Sequence, residues 1–331
     1  MALFTIEHGF RYEVIREIAE GGMGIVYEAE QLGAHGFRKR VAMKVIREQF
    51  AKQRSFVENF IGEAKLVADL IHTNIVQTYH LGEAAGQVFI AMELINGVNL
   101  DALLEQHEAK GRRLPVDLAV FIASRVTRGL AYAHAKVDTS GRSLGIVHRD
   151  VSFKNVMIAF EGDVKLTDFG IAKARGFLRQ EEGKVVVGKA DYMSPEQADF
   201  QVTDQRTDLF SVGVVLAHLL LGQNVFRGKT PEESRERILS LPVPDFGTLD
   251  DRVNPRLNGI LQRCLERNPR RRIQHASDLL DELERYLYEP GFGPTNEKLG
   301  IYVRELFGQH VPRDPETHHR GSTVFIPVPA P

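Results

Sequence analysis

The stretch from Ile146 to Lys173, IVHRDVSFKNVMIAFEGDVKLTDFGIAK, constrains the fold more than any other part of the chain. Two short β-branched runs, Val156–Ile158 and Val164–Thr167, read as a pair of strands. They carry Asp150, Asn155 and Asp168 into two adjacent loops. One aspartate can orient an incoming hydroxyl, and an oxygen pair from Asn155 and Asp168 suits magnesium, which takes few protein oxygens plus phosphates. Turn-capping would explain any one of these residues alone, but it does not explain the ordered set.

The rest of the chain divides around this stretch. From residue 12 to 93 it reads as short strands (YEVIREI, IVYEAEQ, RVAMKVI, IVQTYHL and QVFIAME), rich in β-branched and aromatic residues. One helix interrupts them, with Phe56, Phe60, Ala64, Val67 and Ile71 at spacings of three and four. From about Leu100 the pattern turns helical: Pro115 opens a segment to about His134, and helices resume near Arg206. A strand-rich half before a helix-rich half predicts two α+β lobes with a cleft between them.

The first half holds two further motifs. IAEGGMGIVYEA places Gly21, Gly22 and Gly24 between strand-like runs, where backbone amides could lie against phosphate oxygens; the same glycines could simply turn a hairpin. In VAMK, Lys44 lies inside an apolar strand. There it needs a partner unless the strand is an edge and the lysine is in solvent. Glu63, three after Phe60 and four before Val67, falls along the apolar helix face and could supply that partner.

Taken together, these motifs resemble in order and spacing the signature set of a eukaryotic-like Ser/Thr protein kinase of bacterial type, over about residues 12–287. The resemblance implies an α+β, bilobal protein-kinase-like fold. Its small strand-rich N-lobe, with one key helix, would span about 12–93, the hinge about 92–97, and the larger, mainly helical C-lobe about 98–287. It implies ATP and Mg2+ as cofactors and protein substrates as partners. Ala19, Gly21, Gly22, Gly24, Val26 and Ala42 would lie against the nucleotide, with Lys44 on its phosphates and Glu63 as the helix partner. Met92, Glu93 and Ile95 belong to the hinge that reads adenine. Asp150 would be the catalytic aspartate, and Asn155 and Asp168 the magnesium ligands. Glu196 in SPE would pair with Arg272, and Asp208 would brace the catalytic loop.

Several positions depart from the family pattern. Ala19 replaces the first glycine of the loop, and Lys136–Leu144 reads as an inserted surface loop. Two after Asp150, where family Ser/Thr kinases carry lysine, stands Ser152; Lys189 stands where they carry threonine. The cation and the hydroxyl have exchanged places, so Lys189 is expected to reach Asp150 and the transferring phosphate while Ser152 supplies the hydroxyl. Lys154 is a second cation, at a spacing where tyrosine kinases place arginine. Stabilising phosphoryl charge needs a cation in place more than a particular segment delivering it. Because the altered positions are those that separate Ser/Thr from Tyr kinases, tyrosine or dual specificity stays open. Between Asp168 and Tyr192 there is no Ser or Thr, and Glu181 or Glu182 could supply fixed negative charge near Arg149.

Other function classes fit less well. A net charge of −2 gives no electrostatic case for nucleic acid. Gly222–Thr230 imitates a phosphate loop, but it has five residues between its glycines and follows a helix. A small-molecule phosphotransferase would not need the SPE segment with Arg272. A pseudokinase scaffold would not need Lys44, Glu63, Asp150, Asn155 and Asp168 together. The run Leu209–Leu221 is too short to span a membrane, and no secretory signal is read at the N-terminus. With Cys264 as the only cysteine, no internal disulfide can form, which suits a cytoplasmic location. Residues 288–331 are expected to form a C-terminal extension with one helix at about 296–307 and a Pro-rich tail. Any activating sensor would be another protein, an upstream regulator.

Overall fold

The computed structural model describes residues 4–8, 10–21, 24–84, 87–169, 190–289, 291 and 293–309, with the backbone alone at 4, 7, 8, 10, 48, 49, 55, 56, 59, 63 and 66. In chain order the elements begin with β1 (Phe4–His8), β2 (Phe10–Glu20), β3 (Gly24–Leu32), β4 (Arg38–Ile46), α1 (Glu48–Ala51), α2 (Arg54–Ala68), β5 (Thr78–Ala84), β6 (Gln87–Glu93) and β7 (Gly97–Asn99). There follow α3 (Leu100–Ala109), α4 (Val116–His134), β8 (Val156–Ala159), β9 (Val164–Leu166), α5 (Pro195–Ala198), α6 (Gln205–Leu221) and α7 (Pro231–Ser240). The chain continues through α8 (Phe246–Leu249), α9 (Pro255–Cys264), α10 (Ala276–Tyr288) and α11 (Asn296–Leu306).

The N-lobe sheet runs β1-β2-β3-β4-β6-β5, antiparallel throughout. Alternation along a strand sends successive side chains to opposite faces, and β4 shows the result. Ala42 and Ile46 join Phe60 and Ala64 of α2 with Val88, Ile90 and Met92 of β6 in one core. Val41, Met43 and Val45 face the other way, onto Tyr12, Val14, Ala29, Phe89 and Ala91. Lys44 therefore lies on the α2 side of a central strand.

The C-lobe is built around α6, whose residues from Thr207 to Leu220 are buried. Asp204 caps its first turn, and Gly222 ends it in the left-handed region at φ 76°. The helix packs in one core with α4, α9 and α10. The small sheet β7-β8-β9 sits at the junction with the N-lobe. The loop after α2 is stitched to it: Leu166 donates its N–H to Asn74 C=O, Val76 donates to Leu166 C=O, both at 2.9 Å, and Asn74 Nδ2 reaches Val164 C=O at 2.8 Å.

Three expectations change. Ile71 is not on the apolar face of α2, which ends at Ala68, and it is 73% exposed. The strand read from Ile75 begins at Thr78, because Asn74 and Val76, on either side of Ile75, bond to Leu166 of β9 instead. The sheet also gains β1, ahead of residue 12. The Lys136–Leu144 segment forms a loop closed by a Val137–Ser143 bridge, with Asp138 accepting from Ser140 and Arg142.

Helix α11 lies against α3 and the β8–β9 turn, with Leu299, Val303 and Leu306 fully buried in the C-lobe core. Tyr302 OH meets His107 Nε2 at 2.7 Å, and Asn296 Nδ2 donates to Asp163 at 2.6 Å. Gly162 makes this approach possible: a Cβ there would stand 1.7 Å from Asn296 C=O. Among the described residues no helix is long and apolar enough to cross a membrane.

Candidate active site

Lys44 pairs across the sheet with Val26 of β3 and Ile90 of β6, so its strand is not an edge and the solvent-facing alternative does not hold. Its side chain is 17% exposed, and Nζ meets Asp168 Oδ1 at 2.6 Å. The backbone of Glu63 lies in α2 as expected, but its side chain is outside the described residues. Asp168 is therefore the partner seen for this lysine. Val67, Val76, Ile90, Met92 and Leu166 line the cleft around the pair.

Gly24 is required for a reason the sequence did not show: a Cβ there would come within 2.6 Å of Val45 C=O, where β3 passes β4. Gly21 donates its N–H to Gly24 C=O at 2.9 Å, which tightens the turn; Gly22 lies outside the described residues. Ala19 pairs with Val26, and Ala42 with Met92. At the end of β6, Glu93 accepts from Lys165 Nζ at 2.9 Å and from the Gln77 N–H at 3.2 Å. Among the described residues, the backbone groups of Leu94 and Ile95 have no hydrogen-bond partner.

Asp208, fully buried at the start of α6, organises the loop before Asp150. Its Oδ2 accepts from the His148 N–H and from His134 Nε2, both at 2.8 Å, and its Oδ1 accepts from the Arg149 N–H at 2.7 Å. Burial alone would raise this carboxyl's pKa; the donors around it outweigh burial and hold it below the usual range. His148 accepts the Asp150 N–H on Nδ1 at 3.1 Å and donates from Nε2 to Thr167 C=O at 3.0 Å. That pair fixes one neutral tautomer, and burial lowers the ring's pKa accordingly. The ring also meets Phe169 at 4.6 Å between centroids, so the loops carrying Asp150 and Asp168 are joined through one imidazole.

Asn155 donates Nδ2 to Asp150 C=O at 2.7 Å, and its own C=O accepts the Thr167 N–H at 2.9 Å. Its Oδ1 is left as an acceptor. Arg149 (φ 61°) and Asp168 (φ 56°) both occupy the left-handed region, which side chains other than glycine enter only under constraint. Ser152 is buried and accepts the Asn155 N–H on its backbone oxygen at 3.1 Å, whereas Lys154 is exposed. Lys189, Glu181 and Glu182 lie outside the described residues.

Beyond the loops, Glu196 and Arg272 form the ion pair expected of them, with both side chains buried. Sequence reasoning missed a second buried group. Tyr192 OH meets His218 Nδ1 at 2.9 Å, and that imidazole stacks on Phe153 with centroids 4.1 Å apart. Burial pushes the His218 pKa down to about 4. A lone histidine in an apolar helix gave the only sign of it. Gln197 and Thr203 were also missed: the first donates Nε2 to Arg149 C=O at 2.9 Å, and the second accepts from Arg149 Nε at 3.1 Å.

Comparison with known proteins bears on this arrangement. The family model described as "Protein kinase domain" matches residues 12–283. A tyrosine-protein kinase, MasK of Myxococcus xanthus, is 34% identical over 298 residues, which cover 90% of this chain and 46% of that protein. The serine/threonine-protein kinase PrkC of Bacillus subtilis is 31% identical over 269 residues, covering 81% of this chain and 39% of that protein. The chain thus spans less than half the length of either relative. The crystal structure of the Mycobacterium tuberculosis PknI kinase domain superposes with a TM-score of 0.62 at 26% identity, covering 83% of this chain and 95% of that one.

Proposed function

Because the chain belongs to the protein kinase domain family, we propose that it transfers the γ-phosphoryl group of ATP to serine or threonine hydroxyls of protein substrates in bacterial signalling, its own chain included. The observation that carries this reading is the Lys44–Asp168 pair across the cleft, with Asn155 bonded both to the Asp150 carbonyl and to the Thr167 N–H beside Asp168. The family resemblance to Ser/Thr kinases supports the acceptor class.

In this reading the Lys44 ammonium, held beside Asp168, steadies the nucleotide phosphates. The fit to magnesium rests on the donor set. Asn155 has Nδ2 committed to the loop backbone and Oδ1 left over, and Asp168 has a second carboxylate oxygen besides the one on Lys44. These two residues would hold Mg2+, which supplies charge neutralisation at the phosphates. Asp150 orients the acceptor hydroxyl and takes its proton, and the His148–Asp208 network fixes the backbone that presents it. Lys189 and Lys154 supply cationic charge to the transferring group in place of the lysine that Ser152 displaces. Glu63 partners Lys44 when the cleft closes on nucleotide. The adenine edge is read by backbone groups of Leu94 and Ile95, beside Met92 and Glu93. We place this work in the cytoplasm, under an upstream protein regulator.

A second reading, transfer to tyrosine, is favoured by Lys154, four residues after Asp150, and by the tyrosine-protein kinase among the relatives. One experiment addresses both: transfer from radiolabelled ATP with magnesium, comparing the parent with Asp150→Asn on a generic basic protein, followed by phosphoamino-acid analysis. Asp150-dependent phosphoserine or phosphothreonine supports the first reading and phosphotyrosine the second. ATP binding without transfer would leave a nucleotide-binding scaffold.

A further inference from the structure

From Phe169 to Asp191 the chain contains no serine, threonine or tyrosine, so no hydroxyl of that segment can receive a phosphate that Arg149 would bind. Among its described contacts, three tie Arg149 to the segment from residue 197 to 208. Its N–H donates to Asp208 Oδ1 at 2.7 Å, its C=O accepts from Gln197 Nε2 at 2.9 Å, and its Nε donates to Thr203 Oγ1 at 3.1 Å. All three partners lie within residues 197–208, on α5, on the loop after it and on the first turn of α6.

Each contact has its own support. Gln197 is fixed because its Oε1 accepts the Ser194 N–H at 3.0 Å, one half of the capping box that opens α5. That bond leaves Nε2 as the donor facing Arg149. Thr203 stands between Val202, 96% exposed, and Asp204, the cap of α6, so an outward-facing loop is anchored immediately beside it. The Arg149 backbone needs such support. At φ 61° it holds a conformation that an arginine keeps only when its surroundings impose it. The next residue is Asp150.

We propose that the Thr203 hydroxyl is a standing anchor for the Arg149 guanidinium. With Gln197 on the adjoining carbonyl, it is a positioning residue that sets the Asp150 backbone without phosphorylation of the activation segment. This rests on the reading of Asp150 as the catalytic aspartate. A guanidinium-to-hydroxyl hydrogen bond is charge-assisted yet brings no second charge into the site, so it needs no modifying enzyme to form. Thr203 does not touch substrate. Its effect is on the rate of the chemical step through loop geometry, and not on nucleotide affinity.

The test is steady-state transfer to a generic basic protein by the parent, Asp150→Asn, Thr203→Val, Thr203→Ser, Arg149→Met and the Thr203→Val, Arg149→Met double variant, with phosphosites mapped on the parent. We expect kcat to fall about tenfold in Thr203→Val and to stay within about twofold of the parent in Thr203→Ser, with KM for ATP unchanged. In the Arg149→Met background, Thr203→Val should have no further effect, because the partner is already gone. The parent should be active with residue 203 unmodified.

A parental kcat in Thr203→Val, equal losses in the Val and Ser variants, additive losses in the double variant, or activity confined to molecules phosphorylated at Thr203 would each overturn the proposal. If Thr203→Val does not fold, Gln197→Glu serves in its place. It keeps the acceptor for Ser194 but loses the donor to Arg149, and a parental kcat there counts against the proposal. A parent with no Asp150-dependent transfer overturns the functional reading itself and this inference with it. A parent that does transfer confines any failure to the anchor.

Discussion

Arg272 places its two terminal nitrogens on the two carboxylate oxygens of Glu196, at 2.7 and 2.9 Å, with both side chains buried. Burial alone would raise the glutamate's pKa; the guanidinium, together with the Thr207 hydroxyl at 2.8 Å, outweighs it and holds the carboxyl below its ordinary value. The pair ties α5 to the segment between α9 and α10, 76 residues later in the chain.

Removing one partner leaves the other charged and buried without its counter-ion. Arg272→Met is expected to destabilise the fold by about 3–5 kcal/mol, whereas Glu196→Leu combined with Arg272→Met should recover most of that loss. Urea unfolding of the two variants checks this; a double variant no more stable than the single would show that the pair acts through something besides its charges.

The docking of α11 depends on backbone contact at Gly162, which has φ 98°. Gly162→Ala is expected to displace the helix and expose Leu299, Val303 and Leu306. Leu299→Ala should cost about 2–4 kcal/mol through the cavity it opens. Limited proteolysis after residue 289, faster in Gly162→Ala than in the parent, is the measurement; equal rates would mean that the helix holds without this contact.

His218 supplies a pH dependence with a definite sign. Its folded pKa is about 4 against 6.5 for the free side chain, so below pH 6.5 the unfolded chain binds a proton that the folded chain refuses. Stability from this group is fully present above pH 6.5 and is lost as pH falls toward 4, by about 3 kcal/mol in all. Urea titrations across that window should show a shallower slope in His218→Asn than in the parent. Parallel slopes would assign the acid sensitivity to other groups, buried His148 first among them.

Lys44→Met removes the cation that meets Asp168 in the cleft. Transfer is expected to fall by about 10²–10³-fold. Lys44→Arg should not restore it, since a planar fork cannot replace a point charge in this space. Initial rates for the three proteins settle the matter, and an active methionine variant would remove Lys44 from the chemistry.

The fold class was legible in the sequence because its signals are local. β-Branched alternation marks strands, three-four spacing marks α2, and a buried apolar run marks α6. The ordered polar set from Lys44 to Asp168 was legible too, since those residues break an apolar pattern where a charge is otherwise expensive. Tertiary structure decided what depends on distance between segments. Val76 bonds to β9 and not to the N-lobe sheet, because a backbone donor takes whichever partner the fold brings near. Gly24 must be glycine because β4 passes 2.6 Å from where its Cβ would stand. The set of groups around Arg149 was illegible for the same reason: Gln197 and Thr203 are ordinary polar residues in an exposed-looking stretch. Only packing of α5 and α6 under the Arg149–Asp150 loop turns their hydrogen bonds toward it.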